Sequence, residues 1–191
     1  AATAVGLAAR PELEDVHVSC LALDPNLGRD FYAGVIRAAG APIWSASPEE
    51  IAEAWEDPYV QKHADILRRL PPDMGPVAWW LAQLRRLRPE VVHPWQDMTS
   101  LSLSIASVLA GAPRVMLGTR SVRPDNPRRR LRRWMRHAYQ QVMTLPNVTL
   151  MNNSRAGGAD YAEWLGIDPD RVRVVYNGLN FEALRKDATP K

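Results

Sequence analysis

The sequence predicts an α/β fold, a Rossmann-like doubly wound parallel sheet flanked by helices. Two observations carry this expectation. Short β-rich runs recur along the 191 residues at about 16–23, 41–46, 90–93, 114–118, 148–152 and 171–176, with helical patterns between them. That alternation is the signature of parallel strands joined by helical crossovers. The stretch Val148–Gly178 also shows one complete unit: a β-rich run (Val148–Met151), Asn-Asn-Ser, a helical pattern, and a second β-rich run (Arg171–Tyr176) that stops at Asn177-Gly178. Strand, helix, strand in so short a span is a βαβ unit, and open α/β sheets bind ligands at the C-terminal ends of their strands.

Taken in order, Ala1–Ala9 reads as a helix already under way, without Met or an N-cap, which implies a chain that starts inside a larger protein. Val16–Leu23 has the apolar and β-branched character of a buried strand. Asp24-Pro25-Asn26 turns the chain, Phe31–Ala39 is a helix stopped by Gly40, and Ala41–Ala46 is a short strand. Ser47, followed by Pro48 and Glu50, is a helix start with the makings of a capping box. Residues 58–88 read as helix in two pieces broken by Pro71-Pro72, and Leu87–His93 leads into a strand. Met98–Leu109 is a helix of small residues ending at Gly111, and Arg114–Leu117 is a strand. After the Pro124–Pro127 loop, the helix 128–143 places Leu131, Trp134, Met135, Ala138, Tyr139 and Val142 at the spacing of one core-facing stripe. Gly166 ends the last helix, and Asp168-Pro169-Asp170 turns into the final strand.

At this length the chain is expected to form one domain over 1–178, burying roughly 70% of its unfolded surface. An apolar content of 46% with 24% charged residues suits a soluble globular protein, and no apolar run approaches the ~18 residues of a membrane span. Cys20 is the single cysteine, so no intrachain disulfide is available and a reducing cytoplasm is expected. The basic character is local. Seven arginines from Arg123 to Arg136 face one acid, Asp125, and carry +6, while the whole chain is +3 and the remainder therefore −3.

The run RPEVVHPWQDMTSLSLSIASVLAGAPRVMLGTRS and the later LMNNSRAGGADYAEWLGIDPDRVRVVYNGLN carry four ordered pieces: Pro89–His93, Ala110–Pro113, Asn153-Ser154 and Val175–Gly178. Together they resemble the N-terminal, acceptor-side domain of the GT-B glycosyltransferases, in the large retaining family 4 that builds bacterial surface polysaccharides. The resemblance covers residues ~85–180 and implies one half of a GT-B fold. It implies an upstream strand before Ala1, and a linker from 179 to 191 into a C-terminal domain carrying the nucleotide-sugar site and a pair of glutamates. It also implies sugar transfer from a nucleotide-sugar donor to a glycan or lipid-linked acceptor, by a cytoplasmic enzyme at the inner face of the membrane. By this reading the stretch alone is inactive. Many members of the family carry a His just after the fourth strand; Gly118-Thr119-Arg120 stands there, and that role is not carried over.

The candidate site residues are strand-end residues. His93 has an imidazole able to hydrogen-bond a sugar hydroxyl, and Trp95 an indole face suited to a pyranose; the alternative is a structural His capping the strand. Thr119 and Arg120 end the next strand, and a guanidinium there can hold a phosphate or carboxylate bidentately, against the alternative of a surface Arg paired with a local acid. Asn153 and Ser154 stand where they can cap a helix or, with its backbone donors, meet an anion. Asn177 and Gly178 make a turn and, by the resemblance, mark the rim of the nucleotide cleft. Arg129, Arg132, Arg133 and Arg136 form either a solvated helix face or a contact with an anionic membrane. No catalytic residue is assigned. No metal-ligand spacing and no GxGxxG are present, so no metal or cofactor is expected, with the nucleotide sugar entering as substrate. Nucleic acid is disfavoured, because the basic face lacks stacking aromatics. The rival readings are a nucleotide-sugar epimerase of the same architecture and a non-catalytic module binding anionic membranes or polyanions.

Overall fold

The computed structural model describes residues 20–22, 43–45, 47–71, 74, 76–95, 97–124 and 133–177. The expected helices Ala1–Ala9 and Phe31–Ala39 and the turn at Asp24–Asn26 lie outside the described residues, as do Gly178, Arg129 and Arg132. By its internal contacts the chain divides into two compact units, Ala1–Ala64 and Asp65–Lys191.

In the first unit, β1 (Cys20–Ala22) and β2 (Ile43–Ser45) pair in parallel, Cys20 opposite Ile43. Helix α1 (Pro48–Glu53) begins with the expected capping box. The Ser47 hydroxyl accepts from the Glu50 amide at 3.1 Å, and the Ser47 amide donates to the Glu50 carboxylate at 2.8 Å. Together these satisfy two donors the first turn would otherwise leave open. A 3₁₀ turn (Ala54–Glu56) leads to α2 (Pro58–Lys62), which Asp57 caps through the amides of Tyr59 and Val60. The first piece of the expected 58–88 helix is interrupted at His63, and α3 (Ala64–Leu67) follows it.

The second unit holds the sheet. Helix α4 (Val77–Leu87) buries Trp79, Trp80, Leu81 and Leu84 and ends on Arg88, which adopts a left-handed φ of 47°. Burying each such large apolar side chain contributes roughly 1.5–3 kcal/mol. The strands β3 (Val91–Val92), β4 (Arg114–Thr119), β5 (Val148–Asn152) and β6 (Val172–Val174) form one parallel sheet in the order β3-β4-β5-β6. The two outer strands are shorter than the sequence suggests: Leu87 is still helical, and Arg171 belongs to a 3₁₀ turn, Pro169–Arg171.

Between the strands run α5 (Asp97–Ala110), α6 (Arg133–Val142) and α7 (Arg155–Leu165). Helix α5 packs on α4, α6 and β4, and α7 packs on α6, β5 and β6. α5 buries small residues beside its leucines Leu101 and Leu103. Ser100, Ser102, Ser104 and Ser107 are all buried, and the hydroxyls of Ser104 and Ser107 donate to the carbonyls of Leu101 and Leu103 in their own helix. On α6, the stripe residues Met135, Tyr139 and Val142 are buried, Trp134 and Ala138 are half-buried, and Arg136 is exposed.

Candidate functional site at the strand ends

Because all four strands of the sheet run the same way, their C-terminal ends share one edge. Trp95 continues β3 by a parallel bridge to Gly118, and the Gly118 amide donates to the Pro94 carbonyl at 3.0 Å. Glycine is needed there. A Cβ on residue 118 would come within 3.0 Å of both His93 Nε2 and the Pro94 carbonyl oxygen. With no side chain in the way, the β3 exit lies flat on β4 and carries its two rings to the edge.

His93 and Trp95 lean on each other, with ring centroids 5.3 Å apart at 48°. Arg120 leaves β4 beside them and sets its guanidinium over the indole of Trp95, 4.2 Å from the ring centroid. Its Nη2 then donates to the Asn177 side-chain oxygen at 3.1 Å, which joins the end of β4 to the end of β6 across β5. His93, Trp95, Arg120 and Asn177 are thus one cluster, drawn from three strands. The indole face expected to receive a sugar is covered on that side by Arg120. Burial, and then the positive charge of Arg120, push the His93 imidazole below its usual range. It stands in the site as a neutral ring that can hydrogen-bond.

Other strand-end residues are turned inward. Thr119 is 2% exposed. Its hydroxyl donates to the Met151 carbonyl at 2.9 Å and accepts from the Asn152 amide group at 2.9 Å. That hydroxyl is a tie between β4 and β5 and offers nothing to a ligand. Ser154 caps α7, its hydroxyl accepting from the Gly157 amide at 3.0 Å; Asn153 sits half-buried beside it.

Two residues central to the edge were not singled out from the sequence. Asn152 is buried at the end of β5, and its amide group donates to Thr119 Oγ1 and to the Ser121 carbonyl at 3.0 Å. It therefore grips β4 on both sides of Arg120. Its side-chain oxygen, Oδ1, accepts from the Ser154 amide at 3.0 Å. The signal was present: a polar residue closing the apolar run Val148–Met151 must find partners once buried. Asp97, at the start of α5, accepts hydrogen bonds from Tyr139 at 3.0 Å and from Tyr161, tying α5 to α6 and α7. Burial, and then the Asp97 charge, hold both phenols well above the usual tyrosine range.

Among the described residues no group of three or more His, Cys, Asp or Glu is placed to hold a metal ion. No described helix is long and apolar enough to cross a membrane. A cleft lined by Leu84, Arg85, Arg88, Glu90 and Ala110–Pro113 lies at the opposite, N-terminal ends of β3 and β4.

The chain is 25% identical over 171 residues to the Vi polysaccharide biosynthesis protein VipC/TviE of Salmonella typhi, an alignment that takes in 87% of this chain and 29% of that relative. It thus spans less than a third of that protein's length. No solved structure matches it. The family model for Glycosyltransferase Family 4 matches residues 15–183, which include every described strand and helix. With its parallel sheet and strand-end cluster, the chain belongs to glycosyltransferase family 4, and its α/β architecture is the Rossmann-like half of a GT-B fold.

Proposed function

We propose that this chain is the acceptor-side half of a glycosyltransferase that moves a sugar from a nucleotide-sugar donor to a glycan or lipid-linked acceptor in surface polysaccharide synthesis. The observation that carries the reading is the gathering of His93, Trp95, Arg120 and Asn177 at the one edge where this family's sheet meets its substrates. The similarity to a polysaccharide biosynthesis protein supports the same pathway class.

On this reading His93 offers a neutral imidazole to a sugar hydroxyl, Arg120 supplies positive charge, and Asn177 and Gly178 form the rim toward a C-terminal domain of the same protein. That domain binds the nucleotide and stabilises the departing diphosphate, the part of the transition state where charge develops. Residues Arg129, Arg132, Arg133 and Arg136 form a peripheral contact with the anionic cytoplasmic leaflet, each contributing about 1 kcal/mol there; Arg136 is exposed as this requires. No metal is called for.

The test is transfer from a panel of nucleotide sugars by the full-length protein, with product analysis both with and without glycan or lipid-linked acceptor. Product that forms only with acceptor supports the proposal. An isomerised nucleotide sugar formed without acceptor identifies an epimerase instead. Residues 1–191 alone are expected to transfer nothing, and turnover by a pure sample of that length would overturn the division of labour. Liposome sedimentation with Arg132→Glu and Arg133→Glu tests the membrane contact; unchanged binding sinks it.

A further inference from the structure

We propose that Arg120 is the seat of an oxyanion carried by the acceptor, a phosphate or a carboxylate, with Trp95 as the residue that positions it and Asn177 as a neutral stand-in for the ligand. The word acceptor rests on the glycosyltransferase reading; the anion seat does not.

Arg120 is exposed, yet it is held. With its guanidinium carbon held 4.2 Å from the Trp95 ring centroid, Arg120 is placed by a contact that consumes none of its N–H donors, the fork that suits bidentate recognition of carboxylate or phosphate. Asn152 holds the residues on either side, through the Thr119 hydroxyl and the Ser121 backbone carbonyl. The site is therefore built before anything binds.

Among the described residues its charge is also unanswered: no carboxylate pairs with Arg120, and its side-chain hydrogen bond is to the neutral amide oxygen of Asn177. The contrast lies three residues away. Arg123 is met by two acids of α7, with Asp160 at 3.5 Å and Glu163 at 4.0 Å. One arginine of this loop is neutralised by the fold, and the other is presented with an uncharged partner. A carboxylate or phosphate takes two parallel N–H···O bonds from a guanidinium and answers its charge, where the Asn177 oxygen takes one and answers none, so an oxyanion arriving in the plane displaces the Asn177 amide from Nη2. The His93 imidazole, lowered first by burial, is lowered further by the Arg120 charge.

The experiment uses the full-length protein carrying 5-fluorotryptophan, with the Trp95 fluorine resonance assigned by its loss in Trp95→Phe. Glucose 1-phosphate, methyl glucuronide and uncharged methyl glucoside are titrated separately. The expected result is a saturable shift with one or both anions and none with methyl glucoside; the tighter anion identifies phosphate or carboxylate as the source. Arg120→Gln weakens anion binding about tenfold or more, and Arg120→Lys, which keeps the charge but loses the fork, weakens it less. By calorimetry, Trp95→Ala weakens it about two- to fivefold, while Asn177→Ala leaves it unchanged or tighter.

A shift that persists in Arg120→Gln, an equal response to methyl glucoside, or no response to either anion overturns the seat. A loss in Asn177→Ala as large as in Arg120→Gln overturns the stand-in role. A protein that transfers sugar but binds neither anion refutes this inference and leaves the glycosyltransferase reading intact.

Discussion

Replacing Gly157 by Ala is expected to destabilise the protein, against the usual preference of helices for alanine. Gly157 lies in the first turn of α7, and a Cβ there would stand 2.4 Å from Asn152 Oδ1, 2.8 Å from Nδ2 and 2.9 Å from Cγ. Asn152 must then move, although it is 2% exposed and bonded to Thr119 Oγ1, the Ser121 carbonyl and the Ser154 amide. At about 1 kcal/mol for each buried hydrogen bond, losing two or three of them costs about 2–3 kcal/mol. The intrinsic gain of Ala over Gly in a helix returns about 1 kcal/mol, leaving a net loss of about 1–2 kcal/mol. In an Asn152→Ala background the obstructing amide is gone, and the same Gly157→Ala change becomes neutral or stabilises by up to about 1 kcal/mol. The sign reverses. Urea titrations of the wild type, both single variants and the double variant close a double-mutant cycle whose coupling is about 1–3 kcal/mol. If Gly157→Ala is equally harmful in both backgrounds, Asn152 is not what the glycine makes room for.

Further expectations concern the other polar contacts of this unit. Asp97→Ala leaves the hydroxyls of Tyr139 and Tyr161, both fully buried, without their shared acceptor. It is expected to cost about 2–5 kcal/mol in thermal or urea unfolding, more than Tyr139→Phe or Tyr161→Phe alone; an equal or smaller loss would refute the network. Both phenols are raised above 10.0 by burial first and Asp97 second, so the folded state keeps protons that the unfolded chain releases. Their contribution to stability is whole below pH 10 and is lost as pH rises beyond it, and phenolate absorbance for these two should appear only together with unfolding. Ser154→Ala removes the cap of α7 and should cost about 1 kcal/mol, while Ser154→Asp should come near to restoring it. His93 titrates below 6.5, so folding disfavours its protonation and stability falls as pH drops below that value. Arg120→Gln removes the second cause and should raise the His93 pKa in an NMR titration; no change would mean that burial acts alone.

The architecture was legible because strand and helix periodicities alternate, and all six expected strands contain a described strand. Strand lengths were less legible. A β-branched run such as Arg171–Tyr176 shows propensity, whereas a ladder needs a neighbour, and β6 pairs through Val172–Val174. Strand-end position was enough to place His93, Trp95, Arg120 and Asn177 along one edge. What position could not show was that Arg120 lies on Trp95, since that depends on the register that sets Trp95 beside Gly118. Hydroxyl and amide side chains were the hardest to assign. Thr119 and Ser154 have the chemistry of ligand binders and spend it on Met151, Asn152 and Gly157. Asp97 stands beside His93 and Trp95 in the sequence, but its role was hidden because its partners, Tyr139 and Tyr161, are 42 and 64 residues further along the chain.

The bond from Arg120 to Asn177 gives the edge a mechanical property that backbone ladders lack. Parallel strands held only by ladders form a stack of rails, each free in principle to slide a little along the next. Here Thr119 and Asn152 fasten β4 to β5, the Val175 amide extends β5 onto β6 by donating to the Asn152 carbonyl at 2.9 Å, and Arg120 closes from β4 to Asn177. Three members joined at three corners make a triangle, which resists shear where a ladder yields. A load applied at Asn177 is therefore felt at Trp95 through Arg120, and positions 57 residues apart in the chain behave as neighbours.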